Sequence, residues 1–255
     1  MSFPKHPKKW KEKALIDPRH FFDYLNSQGR SPSLVPSTMV IGWNRPLCAY
    51  IKKRYKVGES NHERPYSGLA IPGTGNKLGF FGGFGIGAPS TATWVEELIA
   101  LGARQVIGIG IAGSLREDLP VGSLVVCTKA LRDEGTSYHY VPPSQYAYPS
   151  PTLTRELAKA LRADKLPFVE GPSWTMDAPY RETVSEIRRW RKEGILTVEM
   201  EISALFSVAR YRRVKAAAVF VISDIVHEEG WRPQFHDVRD GLVSAFEAVK
   251  RALAG

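Results

Sequence analysis

The chain has 255 residues, 43% hydrophobic and 24% charged, enough for one globular domain with a large buried core. No apolar run reaches the roughly 20 residues that span a bilayer, and the N-terminal stretch MSFPKHPKKWKEKAL is basic without the apolar centre of a secretory signal. The formal net charge of +9 would suit a polyanion, but much of the excess sits in Lys5, Lys8, Lys9, Lys11 and Lys13 and on helix faces such as Arg188, Arg189, Arg191 and Lys192, so neither nucleic acid nor a membrane is expected as a partner.

Residues 1–37 read as an N-terminal arm carrying a short helix at 18–26 and a loop at 27–37; residues 38–255 read as one α/β domain. The first strand is TMVIG at 38–42, followed by a helix at 46–55 with Leu47, Ile51 and Tyr55 on one side. Residues 68–72 and 77–83 form a hairpin or two neighbouring strands around the turn GTGN. A helix then starts at Pro89 and Ser90, with Thr93 and Glu96 spaced as a capping box, and ends at Gly102.

The continuous apolar run at 105–111 predicts a strand buried on both faces. Another strand follows at 123–129, where Cys127 is expected as a buried free thiol; with Cys48 the only other cysteine, this fits a cytoplasmic protein rather than a disulfide scaffold. Residues 132–149 have no periodicity and predict a long irregular loop, a common carrier of function. Beyond it the pattern predicts a helix at 151–162, a strand at 166–170, a loop at 171–179 and a helix at 180–192 closed by Gly194. A strand at 195–200, a helix at 202–212, a strand at 216–223 and a helix at 237–253 complete the chain. Strands alternating with helices imply a single domain with a mixed, mainly parallel sheet flanked by helices.

Residues 79–115, GFFGGFGIGAPSTATWVEELIALGARQVIGIGIAGSL, place two glycine loops just after strands, the edge where open α/β sheets collect ligands. GIGIAG at 108–113 matches a dinucleotide fingerprint, with Asp133 further on. That mechanism needs a helix opening at the third glycine, and SLREDLPVG with Pro120 and Gly122 leaves no room for one, so NAD is excluded. The loop at 82–90 does open a helix, whose free amides could hold an anion or a polar ligand edge; it lacks the Lys-Ser/Thr ending of a P-loop.

Glu199-Met200-Glu201 stands where a strand enters a helix. On an extended backbone both carboxylates point one way and Met200 the other, and paired acceptors suit vicinal hydroxyls. The alternative reading makes Glu201 a helix N-terminal acid and Glu199 a surface residue. Asp224 ends the apolar strand AAAVFVIS, where a partly buried carboxyl can enter the ligand crevice as a proton donor; otherwise it caps the following segment. His227, Glu228 and Glu229 have no metal-ligand spacing, and no metal is expected.

Together GFGIGAPSTATWVEELIALGA, IAGSLREDLPVGSLVV, VEMEISALFSVA and VISD resemble the nucleoside phosphorylase family, which includes uridine phosphorylases, purine nucleoside phosphorylases and related nucleosidases; the likeness runs over about residues 38–253. The resemblance implies that Met200 and Glu201, with Glu199 beside them, hold a ribose and that Asp224 protonates the departing base. It implies that backbone at Ala112 and Gly113 lines the base pocket, covered by a loop carrying Trp174 and Tyr180. Phosphate, the only co-substrate implied and no other cofactor, would meet Gly42, Arg45 and Arg64. The resemblance further implies a cytoplasmic homo-oligomer cleaving a small-molecule nucleoside, with a purine-like base favoured. This chain departs at Gly108 and Ile111, where phosphorylases of the family carry an Arg and a Ser or Thr. Water as acceptor, or a silent nucleoside-binding relative, are the alternatives.

Overall fold

The computed structural model describes residues 6, 8–57 and 69–254. Nine strands are placed in one sheet: β1 (Thr38–Gly42), β2 (Leu78–Gly82), β3 (Gln105–Ser114), β4 (Leu124–Asp133), β5 (Tyr146–Ala147), β6 (Phe168–Met176), β7 (Thr197–Glu199), β8 (Lys215–His227) and β9 (Gly230–Pro233). Pairings β1–β2, β1–β3, β3–β8, β4–β6 and β6–β7 are parallel; β3–β7, β4–β5, β4–β8 and β8–β9 are antiparallel. The mixed, mainly parallel sheet stands as expected. Its central strands β3, β7, β6, β4 and β8 also pair in a closed ring, which removes their free edges.

Seven α-helices flank the sheet: α1 (Pro18–Ser27), α2 (Arg45–Tyr55), α3 (Ala88–Ala100), α4 (Pro151–Ala163), α5 (Val184–Lys192), α6 (Ile202–Arg212) and α7 (Arg239–Ala254). Three apolar clusters divide the core. Phe22 and Leu25 of α1, Val95 and Leu98 of α3 and Leu205 and Phe206 of α6 share one face with Met39, Val106, Phe220 and Ile222. Leu47 and Ile51 of α2, Leu157 of α4 and Phe246 of α7 cover the other face with Val40, Ile107 and Val219. A smaller cluster under α5 joins Trp174, Ile187 and Trp190. Strands such as β1 therefore read as unbroken apolar runs because both faces are covered.

The observed bounds differ from expectation where local chemistry was answered by tertiary partners. β6 runs through the segment expected as a loop at 171–179. Pro172 is tolerated because the β4–β6 register shifts beside it, between Cys127 and Lys129. The helix expected at 180–192 begins at Val184, behind a 3-10 turn at Pro179–Arg181, because Thr183 and Glu186 form the capping box there. No such box opens α3: Gly87 is its N-cap, Thr93 Oγ1 donates to the Pro89 carbonyl at 3.0 Å, and Glu96 pairs with Arg212. Of the hairpin expected around residues 73–76, Gly68 lies outside the described residues and a single bridge, Ala70 to Gly79, precedes β2. The stretch 132–149 is largely irregular, but it serves packing. Buried Arg132 donates to Ser137 Oγ, Ser144 Oγ and the Pro142 carbonyl, each at 2.8 Å. Among the described residues no helix is long and apolar enough to cross a membrane.

Candidate active site

The carboxyl ends of β3, β7 and β8 open into a cavity of about 600 Å³. Its walls include Trp43, Asn44, Ile111, Ala112, Gly113, Tyr180, Glu182, Glu199, Met200, Glu201, Ser223, Asp224 and Trp231. Of the residues expected to form a site, Ala112, Gly113, Tyr180, Glu199, Met200, Glu201 and Asp224 meet here.

Asp224 arrives through a β-bulge. Ala112 pairs with Ile222 and Gly113 with Asp224, so Ser223 is the extra residue on β8. Before the bulge, Ala216, Ala218, Phe220 and Ile222 face the α3–α6 core; after it Ile225 takes that side. The inserted residue thus flips the alternation and turns Asp224 and Val226 to the cavity. Asp224 is 7% exposed. Its Oδ1 accepts from Ser223 Oγ at 2.5 Å and its Oδ2 from Trp231 Nε1 at 2.8 Å. Gly113 must be glycine: a Cβ there would stand 2.8 Å from Val226 and 2.9 Å from Asp224 Oδ2.

The two glutamates play unequal parts. Glu199 is saturated, accepting from Ser173 Oγ (3.0 Å), Thr175 Oγ1 (2.7 Å) and the amides of Glu201 and Ile202 (both 2.8 Å). It ties β6 to β7 and caps the start of α6, so neither a free surface carboxylate nor a fully free ligand group describes it. Burial pushes its proton affinity up while those four donors pull it down. Among the described residues Glu201 accepts only from the Gly87 amide (2.7 Å) and the Met200 amide (3.2 Å). Burial, and then the nearby Glu199, push its pKa up to about 8. It has lone pairs left for a ligand. β7 stops at Glu199, so the strict alternation expected through 199–201 ends there and Met200 also lines the cavity.

The glycine loop at 82–90 therefore does not present its helix terminus to a bound anion. The Gly87 amide at the start of α3 is taken by Glu201, the protein's own carboxylate. From this loop Ile86 reaches the cavity wall.

Three expectations are corrected. Trp174 is fully buried on β6, its Nε1 donating to Asp133 Oδ2 at 2.9 Å and its ring packed near Trp190, so it covers no ligand. The strand extension explains this: residues 171–176 belong to the sheet, and only Tyr180, 93% exposed, stands at the rim. Arg45 is exposed at the start of α2 and outside the cavity wall, and Gly42 is buried at the end of β1 beneath Leu47 and Phe80. Arg64 lies outside the described residues.

Trp43, just after β1, is buried. Its Nε1 donates to Thr91 Oγ1 at 2.9 Å, and its ring packs against β3. A Cβ at Gly108 or Gly110 would stand 3.1 or 3.2 Å from that ring, which explains the glycine spacing of GIGIAG without any nucleotide. Beside it the Asn44 side-chain oxygen is buried without a partner. Glu182, overlooked in the sequence because its segment reads as the start of a polar helix, is half-buried and also lines the cavity. Burial first, then Asp224 and Glu186, push its pKa up to about 7. Five carboxylates (Glu182, Glu199, Glu201, Asp224 and Glu228) line the cavity, and among the described residues no lysine or arginine does.

The carboxyl ends of β3, β7 and β8 thus gather carboxylates around one cavity of an α/β protein. A family model described as the phosphorylase superfamily matches residues 53–254, and the chain belongs to that superfamily. It is 34% identical over 218 residues to a uridine phosphorylase of Treponema pallidum, covering 80% of this chain and 83% of that one. It is 34% identical over 138 residues to a guanosine phosphorylase of Halorubrum lacusprofundi, covering 54% and 57% respectively. The crystal structure of a uridine phosphorylase from Vibrio fischeri superposes with a TM-score of 0.70 at 26% identity, covering 91% of this chain and 98% of that one.

Proposed function

We propose that the protein cleaves the N-glycosidic bond of a nucleoside and passes the pentosyl group to phosphate. The observation that carries this is the convergence of Asp224 with Met200 and Glu201 on one cavity, inside a superfamily fold whose similar proteins are phosphorylases. Asp224 is the general acid that protonates the departing base, which favours a purine-like base with a basic ring nitrogen. Glu201 accepts hydroxyl protons of the ribose, and its negative charge favours the cationic sugar that develops as the bond breaks. Met200 packs against the sugar, Glu199 holds Glu201 in place, and Ala112 and Gly113 bound the base. A cytoplasmic homo-oligomer, with phosphate as the sole co-substrate, completes this reading.

A second reading, with water as acceptor, is favoured by one observation. Trp43, which lines the cavity, packs its apolar ring against Gly108 and Gly110, and no described lysine or arginine lines the cavity to attract a phosphate dianion. The test is a panel of nucleosides incubated with and without phosphate, following free base together with ribose and ribose 1-phosphate. Phosphate-dependent release with ribose 1-phosphate supports transfer to phosphate; release of ribose indifferent to phosphate moves the conclusion to hydrolysis. Tight binding without release from any nucleoside would leave a silent nucleoside-binding protein.

A further inference from the structure

Asp224 is met by a half-exposed tryptophan, Trp231. Trp231 sits on β9 directly opposite Val226, so it is the diagonal cross-strand neighbour of Asp224, within reach of a long aromatic side chain. The residue is 55% exposed, and its ring touches Phe235 edge-on with centroids 5.9 Å apart. Nevertheless its only polar atom is spent on a buried carboxylate oxygen at 2.8 Å. The other oxygen of Asp224 faces Ser223 Oγ, and that hydroxyl has a second acceptor, the Ala112 carbonyl at 3.3 Å.

We propose that Trp231 is a positioning residue for the general acid: its indole N–H claims Oδ2 of Asp224, so that the transferable proton sits on Oδ1 beside Ser223. The inference rests on the reading of Asp224 as the acid of glycosidic cleavage. An indole N–H can only donate, and a carboxylic acid accepts far better through its carbonyl oxygen than through its hydroxyl oxygen. Trp231 therefore selects Oδ2 as the carbonyl and leaves the O–H at Oδ1. Ser223 accommodates this by rotation, donating to Ala112 while Asp224 is protonated and to Oδ1 once it is not. In the reaction the proton leaves Oδ1 for a ring nitrogen of the base, which keeps the electron pair of the broken N–C1′ bond. The acceptor oxygen, from phosphate or water, forms the new bond to C1′, and a water acceptor gives up its own proton to solvent. The carboxylate left behind then has a donor on each oxygen, so the contact grows stronger as charge develops.

The test compares the wild-type protein with Trp231→Phe, which keeps a ring and removes the donor. The substrates are a purine nucleoside and its 7-methylated analogue, whose base departs without needing a proton. The expected result is a fall in kcat of at least tenfold on the unmethylated nucleoside and less than threefold on the methylated one. Equal losses on both substrates, or no loss, would overturn the assignment, whereas a wild-type protein inert on both would sink the reading of the whole site. An independent arm needs no turnover. The Trp231 Nε1–H resonance, identified by its disappearance in Trp231→Phe, is expected downfield in the wild type and shifted upfield in Asp224→Ala. A resonance unmoved by that substitution would show that the tether does not form in solution and would overturn the proposal.

Discussion

Two neighbouring stretches of one strand, β3, one lining the cavity and one beside it, are built on opposite principles. At Ala112 and Gly113 the strand meets Asp224, and around it acids and donors are matched atom by atom through Ser223, Trp231, Thr175, Ser173 and the Gly87 amide. A few residues earlier, at Gly108 and Gly110, the same strand is sealed by the ring of Trp43, fixed by its bond to Thr91. One stretch meets the cavity's carboxylates; the other is covered by packing. The proposed bond-breaking groups and the proposed acceptor side therefore differ in kind along one strand.

The largest effect belongs to the polar stretch. Asp224→Asn is expected to slow base release by ~10²–10⁴-fold while nucleoside binding, measured by calorimetry, changes little. Turnover within threefold of wild type would remove Asp224 from the mechanism. Next comes the contrast between the glutamates. Glu201→Gln is expected to raise KM about tenfold or more, because a ligand acceptor is lost, with thermal stability nearly kept. Glu199→Gln is expected to lower stability by about 1–3 kcal/mol, since an amide nitrogen must face donors that the carboxylate had satisfied; denaturant unfolding reads it. Swapped outcomes would reverse the division of labour between them. At the covered stretch, Trp43→Ala is expected to raise the share of product appearing as ribose 1-phosphate several-fold at a fixed phosphate concentration. It removes a buried ring, so it also destabilises, by about 3–5 kcal/mol, and Trp43→Leu serves where the smaller residue fails to fold. A product ratio unmoved in both variants would mean that the ring does not govern the acceptor.

How much of this was legible depended on whether neighbours in sequence or neighbours in space decide. β1 and α6 match their expected bounds residue for residue, because an apolar run closed by Gly42 and a carboxylate-to-helix junction at Glu201 are local signals. Asp224 could be singled out as an acid at a strand end, but the bulge at Ser223 that turns it to the cavity is a property of two paired strands. Trp174 was misjudged because Gly171 and Pro172 read as breakers, whereas a register shift in the partner strand let β6 continue past them. The glycines at 108 and 110 carried a nucleotide-like spacing whose cause, an indole more than sixty residues earlier, shows only in three dimensions. Trp231 and Glu182 lacked any local mark: each matters through Asp224, which neither adjoins in sequence.

The smallest effect tests whether the cavity carries a charge that its own fold resists. Glu182 has its pKa raised to about 7 in the folded protein, by burial and then by Asp224 and Glu186, against an ordinary value near 4.5. A raised acid contributes stability in full below its unfolded value and loses it as pH climbs through the folded one, because the unfolded chain gives up the proton first. Between about pH 4.5 and 7 the wild-type protein should therefore lose stability that Glu182→Gln does not lose. The difference in Tm between variant and wild type is expected to start near zero at pH 4.5, grow to about 2 °C by pH 7, and stay level above it. Glu182 lines the same cavity as Asp224, so its ionisation adds a negative charge there. Saturating nucleoside should alter this pH dependence if its base reaches Glu182. A Tm difference that is flat across the range, or that shrinks as pH rises, would show that Glu182 is solvated in solution and takes no part in the electrostatics of the cavity.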